Sequence, residues 1–199
     1  MARLLTFGCS FVYGLGLPDT DGQGPSDLSW PSILAKKLKR ECVNLSFPGV
    51  GNLEILMKVL STTYEPDDLV VVSFSYFDRY AEYEFTDKNG NAKKITKETL
   101  EHKRIVLDEI FHLKNENNYW YNWLTIQHCQ LFLQSNQISN ISYYGGLLPD
   151  YPVRPNMLSI PNFTDTIHMD IHDWTTSKTH PGIKTHELHA EKLYKVLAE

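Results

Sequence analysis

With 199 residues, 42% of them hydrophobic and 12% aromatic, the chain is long enough to bury one sizeable core. Its formal net charge is −5, so the broad basic footprint of a nucleic-acid-binding protein is absent. The three cysteines, Cys9, Cys42 and Cys129, form an odd, widely spaced set that fits neither a disulfide framework nor a zinc motif.

The N-terminus runs directly into a strand pattern, without the apolar stretch and cleavage site of a secretory signal. No apolar run is long enough to cross a bilayer. The expectation is a soluble, cytoplasmic protein with no membrane partner. Leu4 to Phe7 are apolar on both faces and read as a buried parallel strand ending at Gly8-Cys9-Ser10. Trp30 to Arg40 has helical spacing, with Pro31 in the first turn. The cluster Lys36, Lys37, Lys39 and Arg40 reads as its solvated face. Cys42 to Leu45 is a second strand. Asn52 can cap a helix carrying Leu53, Leu56, Met57 and Leu60 on one face. Leu69 to Val72 is a β-branched third strand.

Residues 77–96 are polar and aromatic, with a strong turn signal at Asp87-Lys88-Asn89-Gly90-Asn91. They read either as a lid over a site or as a surface insertion. Thr99 to Phe132 is mostly helical, Ile141 to Tyr144 is a fourth strand, and Leu147 to Thr179 is irregular and proline-punctuated. A helix from about Ile183 to Leu197 closes the chain. The alternation predicts one domain over 1–199 with a three-layer α/β/α, flavodoxin-like fold around a short, mainly parallel sheet of about five strands.

Ser10 falls at the C-terminal end of the first strand, where parallel α/β folds place their ligands. A lone serine there is more often a helix cap. His180 precedes Pro181 and Gly182, just before the last helix. Serine is a poor nucleophile at neutral pH, and a neutral imidazole is suited to activate it.

These blocks, in this order, resemble the SGNH (GDSL-like) hydrolase family. The first is Phe7-Gly8-Cys9-Ser10-Phe11-Val12-Tyr13-Gly14, where many relatives have Gly-Asp-Ser; its Gly-Cys-Ser-Phe form is closer to a phage-type branch. The second is Asn44-Leu45-Ser46-Phe47-Pro48-Gly49-Val50-Gly51-Asn52, and the last is His180-Pro181-Gly182, followed by His186 and Ala190. The resemblance implies a serine esterase that works through an acyl-Ser10 intermediate, with His180 as general base and then general acid. The backbone amides of Ser10 and Gly49 would form the oxyanion hole. Small O-acyl esters such as acetyl, on a small molecule or a carbohydrate, are the implied substrates. No cofactor and no metal are implied.

Two positions depart from the family pattern. Ser177 stands where the family carries an acid, three residues before the histidine, so the site is either a Ser–His dyad or takes Asp173, or Asp170, as its acid. No asparagine follows the third strand; Ser75 or Asn52 would have to supply that oxyanion donor. Two other readings compete. The cluster His168, Asp170, His172, Asp173, His180, His186 and His189 has ligands suited to a metal-dependent hydrolase, although no His-Glu-xx-His pattern accompanies it. A catalytically inactive carbohydrate-binding or structural module could use Tyr13, Tyr76, Tyr80, Tyr83, Trp120 and Trp174 to stack on sugars.

Overall fold

The computed structural model describes residues 1–20, 24–76, 84–86, 92–94, 122–145, 163–164, 167 and 169–198. Most of residues 77–121 and all of 146–162 lie outside this set, and with them most of the lid reading, Tyr80, Tyr83 and Trp120.

Strand β1 (Arg3–Phe7) leads into a one-turn helix, α1 (Ser10–Tyr13), and then α2 (Trp30–Leu38). Strand β2 (Glu41–Asn44), helix α3 (Asn52–Ser61) and strand β3 (Leu69–Phe74) follow. Strands β4 (Glu84–Thr86) and β5 (Ala92–Lys94) pair as a separate antiparallel hairpin, and the predicted turn between them lies outside the described residues. Helix α4 covers residues 122–135. Strands β6 (Ser139–Tyr144) and β7 (Phe163–Thr164) and helix α5 (Ile183–Ala198) complete the order.

The main sheet runs β2-β1-β3-β6-β7, and every pairing is parallel. Four of its strands have four to six residues; the fifth, β7, has only two and lies in the segment that reads as irregular in sequence. Period-two alternation divides the strands between two cores. Leu5, Phe7, Val70, Val72 and Phe74 face α3 and α4, where Ile55, Val59, Trp123, Ile126 and Leu133 are buried. Leu4, Val71, Ile141 and Tyr143 face α2 and α5, where Trp30, Leu34, Ala190 and Leu193 are buried. The sheet is therefore sandwiched between two helical layers, as the alternation predicts.

Two helices differ from expectation. The α2 helix stops at Leu38, because Lys39 takes a left-handed C-cap conformation (φ 55°). On α3 the buried face is Asn52, Ile55, Leu56 and Val59, while Met57 and Leu60 are exposed. Asn52 sits inside α3, just after the N-cap Gly51, and its side chain is drawn into the protein. That anchor sets the helix's rotation.

The topology locates a crevice. From β1 the chain crosses to β2 through α2 on one face. From β3 it reaches β6 through α4 on the opposite face. Adjacent strands whose connections leave on opposite faces open a cleft beyond their C-terminal ends. The ends of β1 and β3 also approach closely. A Cβ on Gly8 would lie 2.9 Å from the Ser73 carbonyl oxygen and would overlap a methyl of Val12. Glycine is needed there for space, since its φ is not positive. Gly8→Ala should therefore destabilise the fold by about 1–3 kcal/mol, as overpacking does, visible as a lowered midpoint in thermal or urea unfolding.

Candidate active site

Ser10 is the first residue of α1, at the β1 end of this crevice, and is 3% exposed. Cys9 precedes it as the N-cap in extended conformation, and the Cys9 carbonyl accepts from the amides of Val12 and Tyr13. The Ser10 amide belongs to the helix start, where no intrahelical acceptor exists. The loop carrying Gly49 is tied to this turn at several points. Leu45 N donates to the Thr6 carbonyl (2.8 Å) and Phe47 N to the Gly8 carbonyl (3.1 Å). Asn44 Nδ2 donates to the Val12 carbonyl (2.9 Å), while Asn44 Oδ1 accepts from the amide and hydroxyl of Ser46. Asn44 thus braces the second block against the serine turn. Gly49 itself is exposed with φ 83°, and no atom lies within 4 Å of where its Cβ would be. Its conformation favours glycine, and the space beside it is open.

His180 comes from a hairpin-like loop at the other end of the chain. Trp174 and Pro181 form an antiparallel bridge, Thr175 N donates to the His180 carbonyl (2.9 Å), and Gly182 N donates to the Asp173 carbonyl (2.9 Å). The loop tip turns at Lys178, in left-handed conformation (φ 56°), whose amide donates to the Thr175 carbonyl. The imidazole packs edge-on against Phe11, with ring centroids 5.9 Å apart, and Phe11 in turn packs against Tyr76 (6.3 Å). The residue after Ser10 therefore touches the His180 ring. No hydrogen bond joins the Ser10 hydroxyl to that ring; Nδ1 of His180 is 3.0 Å from Thr179 Oγ1. Such bonds are often long without substrate.

Three of the sequence candidates have surroundings that the structure shows in detail. Asp173 lies at the start of α5. Its carboxylate accepts from Thr185 N (2.7 Å), Thr185 Oγ1 (2.7 Å) and Lys184 N (3.1 Å), so it caps the first turn of α5. Burial pushes its pKa up, but the hydrogen bonds from Thr185 and Lys184 outweigh burial and hold it below the ordinary 3.8. Gly182 leaves room for this cap, since a Cβ there would overlap the carboxyl group. Asn52 has both amide hydrogens engaged, on the Ser75 carbonyl (3.2 Å) and Asn122 Oδ1 (2.7 Å), and its Oδ1 accepts from Ser75 N (2.6 Å). It is a strut between α3, β3 and α4, with no hydrogen left for an oxyanion. The Ser75 hydroxyl is enclosed with no partner among the described residues.

The remaining histidines divide. His186 Nδ1 accepts from the Trp30 amide (3.1 Å), and His189 Nε2 lies 2.7 Å from the Tyr143 hydroxyl, both in the core between α2 and α5. Asp170 and His172 are exposed, with Asp170 3.4 Å from Lys192 Nζ. His168 lies outside the described residues. Among the described residues no three His, Cys, Asp or Glu side chains gather as a metal group would require. Of the aromatic candidates, Tyr13 is buried, Tyr76 is half-buried against Phe11, and Trp174 is 52% exposed beside the His180 loop. No helix among the described residues is long and apolar enough to cross a membrane.

A cleft of about 550 Å³ opens at the same end of the sheet. Phe7, Gly8, Tyr13, Phe47, Val50 and Ile55 line it, with Glu54 and Lys58 on the α3 side. It runs along the second block, and its lining includes none of Ser10, Gly49 and His180.

Solved structures share this fold. A carbohydrate esterase whose active site displays divergent catalytic and non-catalytic binding functions superposes with TM-score 0.62 at 14% identity, over 100% of this chain and 68% of its own. An acetyl xylan esterase (Est2A) from the rumen bacterium Butyrivibrio proteoclasticus gives 0.57 at 15%, over 98% of this chain and 63% of its own. A lipolytic protein of the G-D-S-L family from Desulfitobacterium hafniense gives 0.51 at 15%, with 98% and 99% covered. No protein-family model and no curated protein matches the sequence. The chain therefore shares the α/β fold of these esterases, and spans about two thirds of the two carbohydrate esterases.

Proposed function

We propose that the chain is a serine ester hydrolase acting on small O-acyl groups, acetyl among them, carried on a small molecule or a carbohydrate. The contact between Phe11 and His180 carries this reading, because it brings the loop of residue 180 onto the turn of residue 10. Ser10, in the Gly-Cys-Ser-Phe form of the first block met in phage-type relatives, attacks the ester carbonyl. His180 takes its proton and returns it to the leaving alcohol. Water then releases the acyl group from Ser10 by the same proton path. The amides of Ser10 and Gly49 bind the oxyanion; a lost donor of this kind typically costs about 10²–10³ in rate. The cleft between the second block and α3 offers room for one limb of the substrate, and exposed Trp174 offers a face on which a sugar could stack. The fold neighbours that act on carbohydrate support the substrate class.

Intact mass after treatment with a fluorophosphonate probe tests the mechanism without the natural substrate. The expected result is a single adduct on wild type and none on Ser10→Ala. A folded wild type that takes no adduct would overturn the esterase reading and favour a binding module of the same fold.

A further inference from the structure

We propose that a chain of three hydroxyls, Thr175, Ser177 and Thr179, positions His180 in the role that a carboxylate fills in related esterases. The proposal rests on the reading of His180 as the base. Thr175 Oγ1 lies 3.0 Å from Ser177 Oγ, Ser177 Oγ lies 2.8 Å from Thr179 Oγ1, and Thr179 Oγ1 lies 3.0 Å from His180 Nδ1. All three distances are in the normal range for hydrogen bonds. Ser177, at the family's acid position, connects to the imidazole through Thr179.

The frame around this chain is rigid enough to matter. Thr175 is buried, and its side chain lies in contact distance of the position that a Cβ on Gly16 would take. Its amide and carbonyl close the loop onto His180 and Lys178. The inner end of the chain is thus fixed to the protein while the outer end holds the ring. The ring also packs edge-on against Phe11. Of the charged groups nearest in sequence, Asp173 is committed to α5, and Lys178 and Lys184 are exposed.

A hydroxyl differs from a carboxylate in two ways. It can donate or accept, so the chain can serve Nδ1 in either protonation state. It carries no charge, so it holds the imidazolium only by hydrogen bonding. Hydrogen bonds to charged groups are stronger than neutral ones, and linked hydroxyls polarise one another. Thr179 is therefore a positioning residue, backed by Ser177 and Thr175.

The test is the ¹⁵N NMR titration of the His180 imidazole, assigned by its loss in His180→Ala. Thr179→Val should change the ratio of the two neutral tautomers and lower the His180 pKa by about 0.5–1 pH unit. Ser177→Ala should move both in the same direction by less, and Thr179→Ser should restore wild-type values. Unchanged His180 nitrogens in Thr179→Val or in Ser177→Ala would overturn the chain. This readout needs no turnover, so it can fail while the fluorophosphonate adduct forms, or succeed while the adduct does not.

Discussion

Asp173→Asn should hydrolyse p-nitrophenyl acetate at close to the wild-type kcat, whereas His180→Ala should lose about 10²–10⁴-fold. The contrast follows from where the two side chains point. Asparagine is as good a helix N-cap as aspartate, so Asp173→Asn keeps acceptors for the first turn of α5 and leaves the loop in place. Were Asp173 the acid of a triad, the same change would cost about 10⁴-fold by favouring the wrong tautomer of the base. Such a loss in a folded Asp173→Asn protein would make Asp173 the orienting acid and remove that task from Thr179. Asp173→Ala removes the cap altogether and should lower stability by about 1–2 kcal/mol, read by urea unfolding.

The second large effect is on stability against pH. His186 is buried between α2 and α5, and burial pulls its pKa from the ordinary 6.5 down to about 4, with Asp173 opposing only in part. Above pH 6.5 the group is neutral in both folded and unfolded chains and contributes nothing. Between 6.5 and about 4 the unfolded chain takes up a proton that the folded protein refuses, so stability falls with falling pH. The loss reaches roughly 3 kcal/mol near pH 4, at about 1.4 kcal/mol per pH unit. The lowered carboxylates Asp19, Asp68 and Asp173 act in a different window, since their contribution is lost only as pH drops below 3.8. Urea midpoints of wild type and His186→Gln, compared from pH 7 to pH 4.5, isolate the histidine. The glutamine variant should lose much less stability over that range. Parallel pH dependence in both proteins would show that His186 does not carry the effect.

Much of the fold is legible in the residues because strand burial on two faces leaves a plain signature. The run Leu4 to Phe7 and the run Leu69 to Phe74 alternate between two cores, and their helices follow in order. What sequence spacing misses is long-range. The rotation of α3 is set by Asn52 bonding to Ser75 and Asn122, which no local period encodes, so Met57 and Leu60 look like core and are not. A two-residue strand such as β7 has no periodicity to read. At the candidate site, Ser10, Gly49 and His180 occupy a strand end and two turns, places that glycine, proline and block order mark well. The partners are harder. Residue type and proximity in sequence single out Asp173 and Asn52, while the backbone and side-chain partners that each holds are supplied only by the folded chain. The alternating hydroxyls of Thr175, Ser177 and Thr179 are plainly visible in the sequence, but their pattern is indistinguishable from an ordinary polar turn until the loop closes.

One contact links the ends of the chain in time as well as in space. Ser29, the N-cap of α2, makes no side-chain bond to the helix it precedes. The open Trp30 amide is satisfied by His186, 156 residues later. A nascent chain that has completed β1, α1 and α2 still has an unfinished helix start, and it stays unfinished until α5 is made and docks. The loop that brings His180 to Phe11 sits directly before that helix. A contact between residues this far apart in sequence is of the non-local kind that slows folding.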